Sequence, residues 1–211
     1  MRLRRGADGF TLVELLVAIV ILGIITVPLS SVVIGFLRSA DATTARLIES
    51  HDVQIATAYW AQDVASIGTR STTSPFALNQ SVETDVAYNA GLYQCGAAGT
   101  PNAIVRLAWD DSSGPGAATL VRVAYVVQAA PGQTQLTELH RLRCEGSTAV
   151  VSDVTIAHDL DPLTSPALVC STSCTASPAV PKSLTLTLKI QDPKNLGVAY
   201  GVSLTGQRRQ S

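Results

Sequence analysis

The sequence predicts an α+β fold, a long amino-terminal helix laid on an antiparallel β-sheet. Two observations carry this expectation. From Leu15 to Leu37 the chain runs 23 residues without a formal charge, and about 20 suffice for a helix to cross a hydrocarbon core. After residue 75 the pattern changes to period two with β-branched residues, the pattern of strands.

The apolar run is entered through MRLRRGADGFTLVELL. Arg2, Arg4 and Arg5 precede it, whereas Arg38 behind it is soon followed by Asp41. This basic excess places the amino terminus in the cytoplasm and the remainder outside it. An ordinary cleaved signal peptide would find an A-x-A-like site at Ala40-Asp41-Ala42. The run is, however, far longer than the roughly 7–15 residues of a signal core. A plain single-pass anchor has the right length, but Glu14 stands at its entrance. A carboxylate deep in lipid costs on the order of 3 kcal/mol, and neither reading gives it a use.

Gly9-Phe10-Thr11-Leu12-Val13-Glu14, behind a short basic leader and ahead of a long apolar helix, resembles the class III leader of type IV prepilins. The resemblance covers residues 1 to about 35. It implies that a prepilin peptidase cuts between Gly9 and Phe10 and methylates the new Phe10 amine. Glycine before the cut suits a peptidase that must approach the backbone closely. Glu14 of one subunit would then pair with the Phe10 amine of another during assembly, offsetting two desolvation costs at once. A carboxylate snorkelling to the interface is the other reading of Glu14. The implied partners are the peptidase, other pilin or pseudopilin subunits, an inner-membrane assembly platform, and membrane lipid before assembly. The implied location is the cytoplasmic membrane, single-pass with the globular part outside, then a periplasmic or cell-surface filament.

Gly23 and Pro28 interrupt the same helix. Proline removes a backbone donor and clashes with the carbonyl of Ile24, which packed membrane helices tolerate through a kink or local unwinding. A functional flexible point and an ordinary kink both fit.

From 38 to 67 the chain turns polar but keeps helical spacing. Ile48, Val53, Ala56, Trp60, Val64 and Ile67 form one apolar stripe, while Asp41, Arg46, Glu49, Gln54, Gln62 and Asp63 mostly fall elsewhere. Gly68 and the polar run to Pro75 mark the stop. Phe10 to Ile67 thus reads as one helix of about 58 residues, roughly 87 Å long at 1.5 Å per residue. The expected organisation is a leader at 1–9, a membrane or filament-core helix at 10–37, its amphipathic continuation at 38–67, and a β-rich domain at 68–211. In that domain Ala103–Asp110, Thr119–Gln128 and Leu136–Cys144 read as consecutive strands, with Val150–Ala157 a weaker fourth. Ser183–Gln191 and Val198–Thr205 read as a hairpin. This order of elements, with arginine-studded strands around Leu107, Leu120 and Leu139, is similar at the level of pattern to J-type pseudopilins of type II secretion.

The cysteines are Cys95, Cys144, Cys170 and Cys174, without a C-x-x-C pair. Behind a membrane segment an even count suggests disulfides in an oxidising compartment. Four cysteines allow three connectivities. The expected one is Cys95–Cys144 with Cys170–Cys174, free buried cysteines being the alternative. Closing loops of about 50 and about five residues would contribute roughly 4 and 2 kcal/mol.

Net charge is −1 from 15 basic and 16 acidic residues. Removing residues 1–9 leaves 12 and 15, a net of −3. Such a chain advertises no nucleic-acid surface. No nucleophile elbow, P-loop or helical metal-binding histidine pair occurs. His51, His140 and His158 are scattered. Asp110-Asp111 and Asp159-Leu160-Asp161 lack the ligand spacing of a calcium loop. The expected role is therefore mechanical, with no catalytic residue, cofactor or metal: a minor pilin or pseudopilin. A membrane-anchored extracytoplasmic binding domain that never polymerises is the alternative.

Overall fold

The computed structural model describes residues 11–114, 117–132, 135–175, 180–192 and 195–209. The chain divides into two units, Met1–Leu47 and Ile48–Ser211. One helix, α1 (Leu12–Ser66), contributes to both.

In the first unit α1 is apolar all round, and its large side chains from Leu12 to Leu37 are exposed within the chain. Leu12–Asp41, which contains an 18-residue stretch of mean hydropathy 2.7, is long and apolar enough to cross a membrane. The helix continues through Gly23 and Pro28. Hydroxyls serve the carbonyls around the proline: Thr26 donates to Gly23 O, Ser30 to Thr26 O and Ser31 to Pro28 O. These bonds give hydroxyls a partner where no water reaches them; Ile24 O, whose helical donor the proline removes, is not among their acceptors.

Among the described residues the second unit holds the rest of α1 and ten strands, most of them in one antiparallel sheet. They are β1 (Thr69–Arg70), β2 (Leu78–Asn79), β3 (Val82–Val86), β4 (Ala103–Asp111), β5 (Thr119–Ala129), β6 (Thr137–Glu145), β7 (Val150–Leu160), β8 (Ala167–Cys170), β9 (Ser183–Asp192) and β10 (Asn195–Gln207). The main sheet runs β10-β9-β7-β6-β5-β4-β3, with β8 also paired to β9, while β1 and β2 pair separately. Among the described residues β7 meets β9 at a single pair, Leu160 opposite Ile190.

Side-chain parity divides the interior into two cores. Val123 and Tyr125 of β5, Leu139 of β6 and Leu184, Leu186 and Leu188 of β9 meet Ala56, Trp60 and Val64 of α1 in the main core. Alternate residues Ala124 and Val126 turn to the other face and pack with Leu142, Cys95 and Cys144. β5 is thus buried on both faces, which explains its continuous apolar run from Val123 to Val127.

The second face is covered by the connection from β3 to β4, which Arg106 organises. Its guanidinium is fully buried. It donates to the carbonyls of Val86, Ala87 and Ala90 and faces Glu83 at 3.5 Å. Glu83 accepts from the backbone N–H of Leu92 at 2.6 Å and of Tyr93 at 3.2 Å. Gly91 (φ 78°) passes so close that a Cβ there would lie 2.4 Å from a Glu83 oxygen. The bond Cys95–Cys144 pins the same connection, and Cys170–Cys174 closes a short loop after β8.

Most expected strands extend by one to three residues in the structure, and the hairpin is β9–β10. Val150–Ala157, the weakest candidate, is part of an 11-residue strand. The short β1, β2, β3 and β8 were not anticipated. Asp63, grouped by spacing with the polar residues that mostly fall off the apolar stripe, is 1% exposed.

Candidate functional site

The amino-terminal head of α1 forms around two side chains three residues apart. Thr11 precedes the first helical residue and Glu14 is the third, the spacing of a reciprocal capping box. The Thr11 N–H and hydroxyl both donate to Glu14 Oε2, each at 2.9 Å. The Glu14 N–H returns a 3.3 Å bond to Thr11 Oγ1. Two backbone donors left over at any helix start are thereby satisfied, and the carboxylate sits where the helix dipole favours negative charge. Glu14 Oε1 takes part in none of these three bonds. The head therefore presents a fixed carboxylate at the entrance of an exposed apolar helix, chemistry suited to a cation inside a low-dielectric bundle. Sequence reading found Glu14 but gave Thr11 no role; the T-x-x-E spacing was the available signal. Gly9 and Phe10 lie outside the described residues.

A second polar centre, inside the globular unit, joins helix to sheet. Arg141 on β6 contacts Asp63 on α1 through Nε to Oδ2 and Nη2 to Oδ1, both 2.7 Å. Tyr125, opposite Arg141 in the β5–β6 register, donates its hydroxyl to Asp63 Oδ2 at 2.6 Å. Arg141 also lies 4.8 Å above the Tyr59 ring, and Trp60 meets Tyr125 edge-on at 5.1 Å. Burial, reinforced by the negative charge of Asp63, holds the Tyr125 hydroxyl well above its ordinary pKa. Burial alone would lower Arg141, but the Asp63 bonds outweigh it and its pKa rises. Each charge in this centre has its counter-charge within hydrogen-bond distance. This centre ties structure together.

The histidines are not brought into one cluster. His140 lies between Asp153 (2.8 Å) and Glu138 (3.3 Å); His158 bonds Asp52 at 2.7 Å; His51 is exposed on α1. The loop aspartates act as local acceptors: Asp110 for the Arg70 N–H, Asp111 for Ser113, Asp161 for Leu163 and Thr164. Among the described residues no three His, Cys, Asp or Glu side chains converge as metal ligands.

Residues 4–30 match the family model of the prokaryotic N-terminal methylation motif, a stretch that contains Gly9, Phe10, Thr11 and Glu14. No curated protein and no solved structure matches the chain. Leader, apolar helix and sheet together identify a chain that carries a type IV pilin-like class III leader on an α+β, pilin-like architecture.

Proposed function

We propose that the protein is a minor pilin or pseudopilin, cut after Gly9, N-methylated at Phe10 and assembled into a thin extracytoplasmic filament. The observation that carries this reading is the methylation motif over residues 4–30 joined to a helix head that holds Glu14 at an apolar entrance. Before assembly the helix rests in lipid, with the globular unit outside the cytoplasmic membrane. During assembly sister helices replace lipid around Leu12–Leu37, and van der Waals packing takes over from acyl chains. The Phe10 amine of one subunit finds Glu14 of another, so axial register follows from a charge pair that neither partner could leave unmade in hydrocarbon. A chain of 202 residues after removal of the first nine is long for a main filament subunit, which favours a low-copy component working with other pilins, a prepilin peptidase and an inner-membrane platform.

The test is the mass and amino-terminal sequence of the mature protein from membranes of its own host. A chain starting at N-methylated Phe10 supports the proposal. An intact Met1, or a start near Thr43 after the A-x-A-like site, overturns it. Glu14→Ala separates the filament reading from a non-polymerising anchored domain: processing should persist and filament incorporation should fall at least tenfold.

A further inference from the structure

A cavity of about 570 Å³ opens beside the main core, at the end of the sheet where β4 and β6 begin and β5 and β7 finish. Its walls include Ile104, Val127, Leu160 and Leu168 together with Asp85 and Asp161, and among the described residues no Lys, Arg or His lines it. The volume falls in the range of about 300–1,000 Å³ common for small-ligand sites.

One wall follows a backbone irregularity. Ile104 falls where the β4–β5 register shifts, and such bulges re-aim side chains. Asp85 (φ 51°) lies across from it in β3, between the in-register pairs Thr84–Val105 and Val86–Ala103. Both residues line the cavity.

The two carboxylates differ in their freedom. Asp161 is buried, and its oxygens accept from the Leu163 N–H at 3.0 Å and the Thr164 hydroxyl at 2.7 Å. It is a fixed negative wall. Asp85 lines the cavity but is exposed to solvent, and among the described residues its carboxylate has no hydrogen-bond or ion-pair partner. Two like charges in a partly apolar recess focus a negative potential. An anion is disfavoured there, and a wholly apolar guest would make no use of the charge. A divalent cation would need donors that do not converge among the described residues.

We propose that this cavity binds an alkylammonium group, its stem on Ile104, Val127, Leu160 and Leu168 and its ammonium donating to Asp85. A flexible aliphatic stem with a compact three-donor cation fits this combination of walls. The source is either a lysine side chain of another polypeptide or a free aliphatic diamine.

The full chain in lipid nanodiscs, with ¹³C-labelled Ile, Leu and Val methyls, is titrated with 1,5-diaminopentane and separately with acetyl-Ala-Lys-Ala-amide. Saturable shifts at Ile104, Val127, Leu160 and Leu168, weakened about tenfold by Asp85→Asn, support the site. Asparagine tolerates the left-handed backbone, and an otherwise unchanged methyl spectrum verifies the fold of the variant. Tighter peptide binding assigns a protein partner; tighter diamine binding assigns a free polyamine. Equal binding of 1,5-pentanediol, which needs no variant to interpret, overturns the proposal. So does an affinity untouched by Asp85→Asn, or no shift with either amine at about 10 mM.

Discussion

Arg141 holds Asp63 in a two-pronged ion pair, with both nitrogen–oxygen distances 2.7 Å, across 78 residues of sequence. The carboxylate is 1% exposed. The pair fastens the last turns of α1 to the middle of the sheet, and Tyr125 adds a third bond to the same carboxylate.

Removing one member should cost more than removing both. Asp63→Ala leaves a guanidinium buried without its anion and should lower unfolding stability by about 3–5 kcal/mol. The double variant Asp63→Leu with Arg141→Met should recover much of that loss, because apolar residues of similar volume need no charge partner. Denaturant unfolding of the single and double variants in one detergent checks the cycle. Additive losses would mean that the pair is not coupled.

Tyr125 should make the fold sensitive to alkali. Its pKa in the folded state is raised well above 10, while in the unfolded chain it returns to about 10. Its contribution is therefore complete below the unfolded pKa and is lost as pH rises through the folded one. Above pH of about 10 the unfolded state releases this proton first, so stability falls by about 1.4 kcal/mol per pH unit on this group's account. Unfolding of wild type and Tyr125→Phe across pH 9–11 should show the steeper loss in the wild type.

Gly206 on β10 faces the helix so closely that an added Cβ would lie 2.6 Å from Val64 Cβ. Gly206→Ala should destabilise by about 1–3 kcal/mol through overpacking. Adding Val64→Ala should restore part of it by opening space at that contact. The midpoints of thermal unfolding for the three variants decide the matter.

Arg106 should control the β3–β4 connection. Arg106→Ala leaves the carbonyls of Val86, Ala87 and Ala90 without their shared donor and Glu83 without its cation. A loss of about 3 kcal/mol is expected. Hydrogen exchange should quicken over residues 86–96 while β9 and β10 stay protected. Uniform exchange across the sheet would contradict a local role.

Much of this protein was legible before folding because the signals were local. A charge-free run, a glutamate at its entrance and an α-helical apolar stripe each depend on neighbours a few residues away. Ala56, Trp60, Val64 and Ile67, placed on one stripe by spacing, are all buried, and the alternation of Ser183–Gln191 matches a strand whose leucines are buried. The short β1, β2 and β8 escaped because two to four residues carry too little periodicity. β3 escaped because its five residues, VETDV, contain two carboxylates. One of these, Glu83, is buried by partners that come from elsewhere in the chain.

The sequence by itself determined the leader motif, the membrane-length helix and the change from helical to strand periodicity, since each follows from residue order and the solvent a segment can enter. Tertiary structure alone decided that Asp63 lies inside, that Arg106 gathers a distant loop and that Asp85 and Asp161 line one cavity. A charged side chain reads as surface until its counter-charge is known. Here those partners stand 78 residues away for Asp63 and 16 to 23 away for Arg106, beyond the reach of any local pattern.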